Sequence, residues 1–133
     1  MSNRPQPFEY TVLRLVPRVE RGEFLNIGVV VICRAHRFLA ARVALDRERV
    51  RALTPSLSDA AWSAIVDAAE LIPRICAGDH DAGPIARLSQ AERWHWVVAP
   101  SSTQIQSAPV HTGLCFTPGE TLDRIFAEQV TTS

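Results

Sequence analysis

The sequence contains no lysine, and all 14 of its basic side chains are arginines. This absence excludes a Schiff-base lysine, a lysine general base and the lysine of a P-loop. The 14 acidic residues bring the formal net charge to zero, so the chain has no overall field that would attract nucleic acid or an anionic membrane. Any anion-binding site must therefore be local.

Long apolar runs and paired cysteines are also missing. The longest apolar stretch, Ile27 to Cys33, is far shorter than the roughly 20 residues that span a bilayer. The first seven residues are polar and hold two prolines, which argues against a signal peptide. Three widely spaced cysteines, Cys33, Cys76 and Cys115, do not resemble a disulfide scaffold. These features predict reduced, buried thiols, no membrane association and a cytoplasmic location.

The apolar content is that of one folded domain, because 133 residues that are 47% hydrophobic can build one core. Segments rich in β-branched and aromatic residues predict strands at Phe8 to Val16, Ile27 to Arg34, Phe38 to Leu45 and Trp94 to Val98. Ser101 to Ser107 fits either an edge strand or a loop.

Three helices follow from capping residues and apolar spacing. A short helix begins after Asp46, a longer one begins at Ser58 and Asp59, and the last has Pro118 at its first position. We therefore expect residues 1–7 to form a disordered tail and residues 8–133 to form a single α+β domain. That domain is predicted to hold a mainly antiparallel sheet of four to five strands, with about three helices packed on one face.

Three segments carry a resemblance to a known family: Phe8 to Pro17, Arg21 to Val30 with its Arg-Gly-Glu-x-x-Asn-x-Gly-Val pattern, and Ser107 to Leu114 with Pro-x-x-Thr-Gly. Over nearly the whole chain the sequence resembles the bacterial family known as domain of unknown function 3037. Members of that family are often encoded beside HipA-like kinase-fold proteins. The resemblance thus implies a protein partner and no established activity.

The charged turn after the first predicted strand is one candidate site. Its polar residues are Arg18, Glu20, Arg21, Glu23 and Asn26. Two guanidiniums beside a flexible glycine can clamp a carboxylate or a phosphate through paired hydrogen bonds. The alternative is that these arginines and glutamates form ordinary solvated ion pairs, each worth about 0–1 kcal/mol.

The second candidate site is His111, Thr112 and Gly113, where an imidazole precedes a backbone N–H that can face a ligand. No nucleophile or orienting carboxylate is spaced to complete a catalytic triad, so His111 can equally end a strand. A joint anion pocket would combine His111 and Thr112 with Arg14, Arg18 and Arg21. Such a pocket requires that these side chains lie within about 10 Å of one another, which is roughly the reach of two long side chains across neighbouring strands.

Metal and nucleic-acid sites receive little support. His111 with Cys115, and Asp79 with His80 and Asp81, lack the four-ligand spacing of a structural zinc site, so no metal or cofactor is expected. Trp94 and Trp96 would share one face of a strand and could stack bases, but no basic stripe accompanies them. Core packing is the preferred interpretation of both tryptophans, and a partner-binding edge is the alternative.

Signature motifs for nucleotide binding, zinc proteolysis and serine hydrolysis are absent from the sequence. Together with the missing lysines, this absence favours binding over catalysis. The prediction is a non-enzymatic protein-binding or accessory module in which the sheet edge and the turn from Arg18 to Asn26 contact a partner. The alternative is a small-molecule anion-binding protein or enzyme that uses the Arg/His pocket.

Overall fold

A five-stranded antiparallel sheet forms the centre of the molecule. The computed structural model describes residues 4–100 and 103–131. Its strands are β1 (Gln6–Leu15), β2 (Leu25–Cys33), β3 (Phe38–Val43), β4 (Ile105–Ser107) and β5 (His111–Cys115). The spatial order is β3-β2-β1-β4, and β5 also pairs with β1. Because β4 and β5 pair with different stretches of β1, they share one edge of the sheet, while β3 forms the other edge.

Within the described residues, four helices accompany the sheet: α1 (Arg47–Leu53), α2 (Asp59–Cys76), α3 (Gln90–Val98) and α4 (Pro118–Phe126). The Asp46 carboxylate accepts hydrogen bonds from the first turn of α1, and the Ser58 hydroxyl accepts one from Ala61 N–H at the start of α2. These side chains satisfy N–H groups that have no partner inside the helix. The predicted starts of both helices are therefore confirmed, as is Pro118 at the start of α4.

The helices cover both faces of the sheet. Even-numbered β2 residues such as Val30 and Ile32 pack into a core with α1, α2 and α3, whereas Val29, Val31 and Cys33 pack against α4. This is why β2 reads as an unbroken apolar run. The α+β class and the antiparallel sheet are confirmed. The three predicted helices are α1, α2 and α4, and α3 is an additional helix. Helix α4 lies on the opposite face of the sheet from α1 and α2, so the predicted helices do not all share one face.

The segment Trp94 to Val98 is a helix, so the prediction of a strand there was wrong. Ser89 caps α3 by accepting a hydrogen bond from Glu92 N–H at 3.2 Å, and its hydroxyl donates to the Glu92 carboxylate at 2.8 Å. Trp94 and Val97, three residues apart, are buried on one side of the helix. The capping pair and this spacing outweigh the β propensity of the tryptophans and valines.

Several ends of the predicted strands differ from those in the structure, most notably at the start of β1 and in the segment before β5. β1 begins at Gln6, so Gln6 and Pro7, which the sequence analysis assigned to a disordered tail, pair with Cys115 and Leu114 of β5. Residues 1–3 of that tail lie outside the described residues. In the segment from 101 to 107, the described part forms β4 over its last three residues.

A β-bulge in β2 sets the orientation of Asn26, in the segment from Arg21 to Val30. Leu13 pairs with Gly28 and Arg14 with Asn26, so Ile27 is the extra residue. Ile27 is buried in the core beneath α1–α3, and the bulge turns Asn26 toward the α4 side, where its Nδ2 donates to the Gln129 carbonyl at 3.0 Å. A Cβ on Gly28 would lie 2.8 Å from the Arg42 carbonyl oxygen, so this close approach requires glycine.

Candidate functional site

The turn between β1 and β2 holds its charges in a local pair. A 3₁₀ turn at Val19–Arg21 leads to Gly22, whose φ of 70° lies in the left-handed region that glycine tolerates. The Arg21 Nε lies 2.7 Å from Glu23 Oε1, and both side chains are about half exposed. Arg18 and Glu20 are exposed at the surface. The turn therefore contains at least one ordinary solvated ion pair, Arg21 with Glu23.

Arg14 and Asn26 face each other at the base of this turn. The Arg14 guanidinium carbon lies 4.2 Å from the centre of the Phe24 ring, a cation–π contact. The Asn26 amide instead anchors β2 to the carbonyl of Gln129 in the π-type turn Ala127–Thr131. Asn26 thus has a structural role, whereas Arg14 Nε is buried without a hydrogen-bond partner in the described part of the chain.

The second candidate segment lies in β5, against β1. The His111 ring stacks on Tyr10 with 5.2 Å between centroids. A Cβ on Gly113 would come within 2.8 Å of the Phe8 ring, so only glycine lets this ring pack over the strand. Thr112 lies between them and is exposed. His111 and Gly113 are therefore engaged in packing on the side of the sheet that α4 covers.

The two candidate segments lie at opposite ends of β1. His111 is opposite Tyr10, which is four residues from Arg14. At about 3.3 Å per residue, that separation is about 13 Å along the strand. Arg18 and Arg21 lie beyond Arg14, farther from β5. The structure therefore does not bring the arginines and His111 into one pocket.

The candidate metal residues and thiols have ordinary structural contacts. Asp79 accepts hydrogen bonds from Arg74 Nε and from Asp81 N–H, and the Arg74 bond is the main reason that the pKa of Asp79 is lowered. No group of three metal-binding side chains occurs among residues 4–100 and 103–131. The three cysteines are free and buried, and burial raises the pKa of Cys76 to about 12. Its thiol is thus protonated and unreactive near neutral pH.

Trp94 and Trp96 do not form a common surface. Trp94 is 2% exposed and lies in the core, while Trp96 is 42% exposed. Residues two apart on a helix point about 200° from each other. The paired indoles that base stacking would need are therefore not formed by α3.

An exposed apolar row at β5 was not among the features predicted from the sequence. Leu114 is 66% exposed and Phe116 is 63% exposed, the highest values for large apolar side chains in the part of the chain that the structure describes. Val110, at the other end of the strand, is 39% exposed. Every second residue from Val110 to Phe116 is thus exposed, an alternation that is visible in the sequence. We call Val110, Leu114 and Phe116 the β5 row.

An apolar groove lies beside β4, between the strand and helices α2 and α3. Its volume is about 580 Å³, within the range of roughly 300–1,000 Å³ typical of ligand sites. Its floor includes Leu13, Ile65 and Val97, and Trp96 forms part of its wall. The described residues that line the groove include no ionisable side chain. We call this feature the β4 groove.

No described helix is both long enough and apolar enough to cross a membrane. Comparison with curated proteins and with solved structures finds no match. A family model described as "Protein of unknown function (DUF3037)" matches residues 10–130, a range that includes the Asn26 bulge, Gly28 and Gly113. The chain therefore belongs to the DUF3037 family.

Proposed function

We propose that this chain is a non-enzymatic, cytoplasmic protein-binding module that contacts its partner through the β5 edge. The β5 row carries this proposal, because large apolar side chains exposed at a sheet edge are a common mark of protein interfaces. In the described chain, β5 pairs with β1 alone. The outward N–H and C=O groups of such an edge strand can pair with a strand of the partner.

The cytoplasmic location is supported by three buried, unpaired cysteines. A HipA-like kinase-fold protein, the partner that the family resemblance implies, is the first to test. The turn from Arg18 to Asn26 lies at the other end of β1, and a partner that spans the strand would reach it.

The test is co-purification of the chain with a HipA-like kinase-fold protein encoded beside it. Leu114→Glu and Phe116→Glu place a charge in the β5 row and are expected to abolish the complex, because an unpaired carboxylate would be buried at the interface. Leu88→Glu is the matched control, since Leu88 is 39% exposed and lies outside the row. Far-ultraviolet circular dichroism verifies that each variant is folded.

Loss of the complex with both row variants and its retention with Leu88→Glu would support the proposal. A complex that survives both row variants, or that the control disrupts equally, would refute it. Failure to form any complex with the wild-type chain would refute the kinase-fold partner. Combining Arg21→Ala with Glu23→Ala then shows whether the turn contributes a second contact.

A further inference from the structure

We propose that the β4 groove binds an extended, uncharged peptide segment, which adds to the sheet as a strand beside β4. This site is independent of the β5 row, because β4 pairs with Leu13 to Leu15 of β1 whereas β5 pairs with Gln6 to Tyr10. Three features of the β4 groove support this site: the backbone groups at the outer edge of β4, the apolar floor of the groove and, among the described lining residues, the absence of ionisable side chains.

The first observation is the direction of the β4 backbone. The Gln104 carbonyl accepts a hydrogen bond from Val16 N–H, and Ala108 N–H donates to the Val12 carbonyl. In an antiparallel pair, alternate residues direct both backbone groups to the same neighbour. The backbone groups of Ile105 and Ser107 therefore point away from β1, toward the groove.

These outward groups have the spacing that an added strand requires. The Ile105 carbonyl accepts a bond from the Thr103 hydroxyl at 2.9 Å, whereas β4 has no strand partner on its outer side within the described chain. Ile105 N–H and both backbone groups of Ser107 are placed to bond a peptide about 4.8 Å away. Main-chain bonds of this kind provide affinity with little dependence on the peptide's sequence.

The second observation is the space beneath such a strand. Alternate side chains of an added strand would point toward the face of the sheet that α2 and α3 cover. There the groove is floored by Leu13, Ile65 and Val97, and the small side chains Ala64 and Ala68 of α2 widen it. Large apolar side chains at every second peptide position would fill this space and leave water.

The third observation sets the charge of the peptide. About one residue in five of the chain is charged, yet the described lining contains only apolar, amide and hydroxyl side chains. A charged peptide side chain in the groove would lose hydration without gaining an opposite charge. The preferred ligand is therefore an uncharged segment with apolar residues at alternate positions.

To test this site, short random peptides displayed on phage are selected for binding to the full chain. The affinity of each enriched peptide is then measured by fluorescence polarisation. We expect uncharged peptides with alternating apolar residues. Ser107→Pro removes one outward N–H without removing a bond to β1, and it should weaken binding by about tenfold. Ala68→Arg places a large cation in the groove and should weaken binding at least as strongly. The controls are Ser107→Ala, which keeps the N–H, and Ala60→Arg, an exposed α2 position outside the groove.

Enrichment of such peptides, with loss of binding in Ser107→Pro and Ala68→Arg and retention in both controls, would support the site. The proposal would be overturned if no peptides were enriched, if charged peptides were enriched, or if neither Ser107→Pro nor Ala68→Arg changed the peptide affinity. Binding of a neutral dye such as Nile red with no peptide binding would also overturn it, since the groove would then accept small apolar molecules alone. Leu114→Glu should leave peptide binding unchanged, so this test and that of the β5 row can fail separately.

Discussion

Replacing Gly28 by alanine tests whether the close approach of β3 to β2 requires glycine at this position. A Cβ at this position would lie 2.7 Å from Val43 Cγ1, 2.8 Å from the Arg42 carbonyl oxygen and 3.3 Å from Leu13 Cδ1. The carbonyl belongs to the paired backbone of β3, so it cannot rotate away as a side chain can. Gly28→Ala must therefore displace β3 from β2 or distort the bulge.

The expected cost follows from these contacts. Overpacking a core site costs about 1–3 kcal/mol, and the smaller conformational entropy of unfolded alanine returns about 0.4–1 kcal/mol. From the midpoints of these ranges, we expect a net loss of about 1.3 kcal/mol. With an unfolding entropy of about 2.1 cal/mol/K per residue, the 133 residues give about 0.28 kcal/mol/K, so Tm should fall by about 5 °C.

Urea unfolding and differential scanning calorimetry measure this change, and Gly119→Ala is the matched control. Gly119 lies in α4, and a Cβ there would meet Phe38 Cε2 at 4.0 Å, which is ordinary contact. The same chemical change should therefore stabilise the protein by about 0.5 kcal/mol. If Gly28→Ala were neutral or stabilising, or if both variants changed Tm equally, the account of the bulge would be wrong.

Two further predictions concern the C-terminal turn and a buried thiol. Asn26→Ala removes the bond to the Gln129 carbonyl and should cost about 1 kcal/mol, with faster hydrogen exchange in residues 127–131; unchanged exchange would show that the amide does not hold that turn. The pKa of Cys76 is raised by burial from 9.0 to about 12 in the folded protein, so only the unfolded thiol ionises between these values. Stability is therefore complete below about pH 9 and should fall as the pH rises toward 12, by at most about 1.4 kcal/mol per pH unit. Cys76→Ala should flatten this dependence in urea titrations between pH 8 and pH 10.5, and an unchanged slope would assign it to other groups.

Local signals in the sequence were sufficient to predict a secondary-structure element where contacts between residues a few positions apart determine it. Asp46 and Ser58 identify helix starts because their side chains bond N–H groups within the next three residues. The same signal was present at Ser89 and Glu92, but the aromatic and β-branched residues after it were weighed more heavily, which led to the wrong strand at Trp94 to Val98. A capping pair predicts a helix more directly than β propensity predicts a strand, because propensity depends on the neighbours a side chain meets.

Asn26 and Gly113 could be selected as candidate residues from the sequence, but the roles that they have in the structure could not be predicted from it. Asn26 was selected as a residue of the candidate binding turn, and its amide bonds the Gln129 carbonyl, 103 residues away. Gly113 was expected to present its N–H, and the Phe8 ring packs against it. Both contacts arise from strand pairing and from the packing of α4, which no local pattern specifies.

The sequence by itself determined the single α+β domain, the first three strands, most of the helix starts and the absence of lysine chemistry. These properties depend on composition and on contacts between residues a few positions apart. The tertiary structure decided which candidates lie together, because the register of β1 with β4 and β5 sets distances between residues about one hundred positions apart. It separated His111 from the arginines and left Leu114 and Phe116 uncovered. It also formed a groove beside β4 by bringing Leu13 of β1 together with helices α2 and α3.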